Sequence, residues 1–168
     1  NQVRATGRLG QMVPISLIGI FILLFILFGN FKDSLIVLTN VPFAIIGGIL
    51  ALHLTRINFG ISGGVGFIAL FGICIQNGVI LISEFHNNLK NKMSLDMSIK
   101  EAVKVRTRPV VMTALMASIG LLPAAISSGI GSESQKPLAI VIIGGLITAT
   151  VLTLLVFPII FWVFNRKK

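Results

Sequence analysis

Charge is scarce in this sequence. Only 11% of its residues are Asp, Glu, Lys or Arg, and just five of those are acidic. With 55% hydrophobic residues and a mean hydropathy of +0.99, that scarcity excludes an ordinary soluble domain. Cysteine is scarcer still: Cys74 stands alone, which excludes an internal disulfide. Also missing are the patterns that mark catalysis or a bound cofactor. There is no Ser/His/Asp set, no HExxH, no phosphate-cradling glycine loop and no cysteine cluster. Gly63, Gly64 and Gly66 lie inside an apolar run with no strand-turn-helix context, so they read as helix-packing glycines. The sequence therefore predicts no enzyme, no catalytic residue, no cofactor and no resident metal site.

The few charges punctuate the chain. None falls between Arg8 and Lys32, Asp33 and Arg56, Arg56 and Glu84, Arg108 and Glu133, or Lys136 and Arg166. These intervals predict five transmembrane helices, at about 11–28, 34–54, 61–84, 109–127 and 138–164. Residues 84–108 are charge-dense and belong outside the bilayer. The net charge of +9 would suit nucleic acid, but its distribution excludes that partner. With residues 1–10 outside and 165–168 as a cytoplasmic tail, ten basic residues fall on the cytoplasmic side and four outside. That bias is the positive-inside rule, and the inverse orientation reverses it. Arg4 and Arg8 before an apolar run resemble a signal peptide, but no small-residue cleavage site follows. An odd number of spans beginning outside, with no starting Met, reads as a fragment whose earlier part is missing.

The span at 61–84 carries the chain's functional signal. The 27 residues between Arg56 and Glu84 are uncharged, yet they include Gly63, Gly64, Gly66, Gly72, Gln76 and Asn77. At helical spacing Ser62, Gly66, Ala69, Gln76, Asn77, Ser83 and Glu84 share an arc of about 120°. Buried amides need partners that lipid does not supply, so this face belongs inside a bundle. Gln76 and Asn77 either join helices by hydrogen bonds or line a transport or proton path.

Similar seams recur along the chain. Asn40, Ala44, Gly48 and Ala51 form one, with Pro42 expected to kink the helix. Gly145, Ala149 and Thr153 form another, and Thr113, Ala117, Gly120 and Ala124 a third. Met112 and Met116 beside it suit packing better than a copper path, and His53 reads as interfacial. Between spans, Ser94 is expected to cap an amphipathic helix over about 94–106, lying along the cytoplasmic membrane face. The junction Arg108-Pro109 opens the fourth span. Ser127 to Pro137 reads as an external Gly/Ser-rich loop.

Gly66-Phe67-Ile68-Ala69-Leu70-Phe71-Gly72 followed by Asn77-Gly78 resembles the tenth helix of resistance-nodulation-division transporters. The resemblance continues through Arg106-Thr107-Arg108-Pro109-Val110-Val111-Met112-Thr113 and Leu121-Leu122-Pro123. It then extends from Gly129-Ile130-Gly131-Ser132-Glu133 to Gln135-Lys136-Pro137-Leu138-Ala139. The heavy-metal efflux branch, of cobalt–zinc–cadmium type, is the most similar. The resemblance implies an all-α membrane protein, helices eight to twelve of a twelve-helix bundle, missing the N-terminal half of its polypeptide. It implies a homotrimer in the bacterial inner membrane, powered by the proton motive force and working with a periplasmic adaptor and an outer-membrane channel. Thr113 and Arg106 match positions of the family's proton relay, and Asn77 and Gln76 stand beside it. The drug-exporting branch has lysine where this chain has Gln76, and the copper-exporting branch has lysine where it has Val110. Export of a divalent heavy-metal cation by proton antiport is the leading expectation. A drug or lipid exporter of the same superfamily, or a non-transporting scaffold, is the alternative.

Overall fold

The computed structural model describes residues 2–129 and 131–165, with side chains from Pro14 onward. Those residues form six helices and no strand: α1 (Gln2–Phe28), α2 (Phe31–Leu38), α3 (Asn40–Leu54), α4 (Ile61–Lys90), α5 (Leu95–Ile126) and α6 (Ser132–Asn165). Four stretches are long and apolar enough to cross a membrane: Phe31–Leu54, which joins α2 and α3, and then α4, α5 and α6. α1 adds a shorter apolar stretch, Pro14–Phe28. The all-α membrane architecture expected from hydropathy is present. Residues 166–168 of the expected tail, and the side chains of Arg4 and Arg8, lie outside the described residues.

Several boundaries depart from the sequence expectation. Residues 2–10, expected as an external segment, are helical and continue into α1, so Pro14 sits in a helix interior rather than a first turn. The second span is broken at Thr39, between α2 and α3. Pro42 follows three residues later and has no N–H to offer the carbonyl of Leu38, which accounts for the interruption. Most consequentially, the amphipathic helix expected at 94–106 and the span expected at 109–127 are one helix, α5, running through Pro109. Ser94 does cap it, accepting a hydrogen bond from the Met97 N–H at 3.4 Å. However, the stripe of Ile99 and Ala102 is buried against the protein instead of resting on a membrane surface. The external loop is also shorter, because α6 begins at Ser132.

α6 is the hub and packs on α3, α4 and α5. Its contacts depend on missing side chains. A Cβ on Gly144 would overlap the Ala51 side chain and come within 2.9 Å of the Gly47 carbonyl oxygen, and one on Gly145 would overlap Leu70. These approaches hold α3 and α4 close to α6 at mid-membrane depth. The end of the bundle bearing Lys90 and Asn165 is packed with aromatic rings instead, Phe85 and Phe161 lying 4.7 Å apart between centroids.

Candidate functional site

α4 presents two different flanks. Gly66, Leu70, Cys74, Asn77, Leu81 and Phe85 are buried against the rest of the chain. Ala69, Gly72, Gln76, Ser83 and Asn87 are exposed. The arc expected to keep Gly66, Gln76 and Asn77 together is therefore split. A Cβ on Gly66 would come within 3.0 Å of the Leu138 carbonyl oxygen, so α6 takes that side and leaves Gln76 on the open one. Asn77 stands at the boundary. It is only 5% exposed, yet its amide makes no hydrogen bond among the described residues. The surface left to it includes the amide, since the one fully enclosed side-chain polar atom without a partner among the described residues is Thr150 Oγ1, so the Asn77 amide opens onto this flank.

α5 runs antiparallel to α4 and supplies the other two expected residues. Arg106 is not solitary: its Nε donates to Glu84 Oε2 at 3.0 Å, and its Nη2 reaches the same oxygen. Asn77 is seven residues before Glu84 and Thr113 is seven after Arg106. At 1.5 Å per residue both lie about 10 Å from the ion pair, at one level on neighbouring helices. Thr113 is exposed, and its hydroxyl donates to the Pro109 carbonyl of its own helix at 2.9 Å. This chain leaves its seam uncovered: Thr113 and Gly120 lie open, and α5 is the least covered span, with 11% of its most apolar window buried against 44–56% in the others. The structure thus places Gln76, Asn77, Thr113 and Arg106 along one open flank, without a hydrogen bond joining any two of them.

Three polar groupings escaped the sequence analysis. Fully buried Asn40 donates to the Cys74 carbonyl at 3.0 Å and accepts from Thr153 Oγ1 at 2.8 Å. Asp33, 2% exposed, faces His86 Nε2 at 3.3 Å and accepts from Asn30 Nδ2 at 3.1 Å. His86 sits edge-on to Phe161, with ring centroids 5.7 Å apart. At the start of α5, Ser98 donates to the Phe85 carbonyl at 2.9 Å, while Asn88 donates to that of Ser98 at 3.1 Å. Each pairs residues far apart in sequence, so only the presence of a polar residue in an apolar helix hinted at them. Among the described residues, no three His, Cys, Asp or Glu side chains gather as a metal site.

Comparison with known proteins gives this geometry a context. Residues 1–165 match the AcrB/AcrD/AcrF family. The chain is 47% identical, over 97% of its length, to the cobalt-zinc-cadmium resistance protein CzcA of Cupriavidus metallidurans. It is 46% identical, over its full length, to the nickel and cobalt resistance protein CnrA of the same organism. It superposes on the crystal structure of a heavy metal efflux pump with a TM-score of 0.89, at 41% identity over 99% of the chain. It spans 15% and 16% of the two relatives and 17% of the pump chain. The helical seams, the motifs and these likenesses agree: the chain belongs to the AcrB/AcrD/AcrF family of resistance-nodulation-division transporters, in its heavy-metal efflux branch.

Proposed function

We propose that this segment forms part of the transmembrane proton path of an exporter of divalent heavy-metal cations, working by proton antiport. The observation that carries the reading is the open α4–α5 flank. Gln76 and Thr113 are exposed there, and Asn77, otherwise buried, turns an unpaired amide to the same side. Polar groups at membrane depth mark ion paths when they face a bundle interior. The relay carboxylates that complete this flank belong to the rest of the polypeptide. Arg106 and Glu84 stand at its cytoplasmic exit. Divalent cations are favoured because the relatives at 46–47% identity are named for resistance to cobalt, zinc, cadmium and nickel, and because Val110 occupies the copper branch's lysine position. The same resemblance supports a homotrimer in the bacterial inner membrane, coupled to a periplasmic adaptor and an outer-membrane channel.

The test is Thr113→Val in the full-length transporter reconstituted in vesicles, with zinc or cobalt flux driven by an imposed proton gradient. The change keeps the shape and removes a donor and an acceptor. Flux is expected to fall at least tenfold while expression and assembly stay normal. Normal flux and normal metal resistance at wild-type protein levels would make the hydroxyl a helix brace, held by its bond to the Pro109 carbonyl.

A further inference from the structure

α5 has a second open flank, roughly opposite the one bearing Thr113. At membrane depth it consists of Met112, Leu115, Ile119, Leu122 and Ile126, each about half exposed or more. Ser118, half-buried at its edge, is the one small polar residue beside it, so it lacks the repeated close-approach seam that helix partners use. Large, uninterrupted apolar side chains suit acyl chains. Where this stripe stops, exposed cations continue it: Arg108, Lys104 and Lys100, each four residues from the next. That spacing sets them one turn apart along one side of the helix, about 6 Å per step. Exposed Met97 lies beside them.

The ladder leads into a cleft between α5 and α6. Lys100, Ile99, Pro158, Ile159 and Trp162 line a cleft of about 540 Å³, together with Asp96. The Asp96 carboxylate already accepts from Trp162 Nε1 at 2.8 Å. Glu101 is half-buried nearby, so three exposed cations stand against two acids, Asp96 and Glu101, and the ladder keeps a net positive charge at its Lys104–Arg108 end. On α6, exposed Leu155, Ile159 and Val163 extend the apolar wall. Basic pockets between helices at a membrane surface hold anionic headgroups. We infer that this flank binds an anionic phospholipid. The phosphodiester sits on Lys104 and Arg108, one acyl chain follows the α5 stripe, and the other enters the cleft under Lys100 and Trp162. The inference depends on the helices lying in a membrane and is independent of what the protein exports.

Native mass spectrometry of the full-length transporter, mixed with either phosphatidylglycerol or phosphatidylcholine, reads the site directly. The wild type is expected to retain phosphatidylglycerol preferentially. Removing one cation near an anionic headgroup costs about fivefold in retention, so the pair Lys104→Gln with Arg108→Gln should lose at least tenfold. Lys90→Gln with Lys92→Gln, at the same end but off the ladder, should change nothing. If the double variant fails to assemble, Lys100→Gln alone should show the fivefold loss. Equal retention of both lipids by the wild type, or equal losses in both variant pairs, would overturn the site. So would a Leu115→Cys thiol shielded from a membrane-borne maleimide, since protein would then cover the flank.

Discussion

At the scale of single residues, the buried amide of Asn40 shows why polar groups survive in such an apolar chain. It binds the Cys74 carbonyl on α4 and the Thr153 hydroxyl on α6, tying three helices at one point. Lipid offers no substitute partner, so removing one member strands another. Thr153→Val keeps the side-chain shape but leaves Asn40 Oδ1 without its donor. The expected loss is about 1–2 kcal/mol of stability, measured by unfolding of the full-length protein in detergent. Thr153→Ser, which retains the hydroxyl, should recover most of it. A Val variant as stable as wild type would show that the bond carries no net weight.

Helix elements were legible to the extent that their signals are local. Runs without charge located the membrane helices, and Ser94 marked the start of α5 because its cap involves neighbours only. The exposed flank of α4 was mixed with its buried one, since periodicity gives an arc and cannot say which part α6 covers. Pro109 misled for a physical reason. Proline and its predecessor disfavour helix, but here Pro109 is exposed and Val105, whose carbonyl loses its partner, is 47% exposed. That places the unmatched group on the open side, while Ala102 and Val110 stay buried on either side of the proline. The Glu84–Arg106 pair, which fastens this continuous helix to α4, is long-range and left no local trace. Arg106→Gln should leave the Glu84 carboxylate, 15% exposed, without its cation. Because Arg106 itself is 36% exposed, the expected cost is about 1–2 kcal/mol, below that of breaking a fully buried pair. A double-mutant cycle with Glu84→Gln measures it by thermal unfolding. Additive single effects would show that the pair does not clamp the helices.

For the whole molecule, the orientation rests on charge asymmetry alone. The positive-inside rule, with ten basic residues against four, leads us to propose a cytoplasmic α4–α5 turn and an external α5–α6 loop. α5 has 32 residues, about 48 Å of helix at 1.5 Å per residue, which separates those two connections by more than the hydrocarbon core. Asn91 and Ser128 are exposed at its opposite ends. The chain's own Cys74 is 1% exposed and should stay silent towards a bulky thiol reagent. In full-length protein freed of other reactive cysteines, Ser128→Cys should react with an impermeant maleimide on spheroplasts, and Asn91→Cys only after the membrane is permeabilised. Reversed labelling would invert the orientation and move Arg106 and Glu84 to the outer side, away from a cytoplasmic proton exit. Labelling of both from one side would mean that α5 does not cross the membrane, and the open α4–α5 flank would then lie outside any transmembrane path.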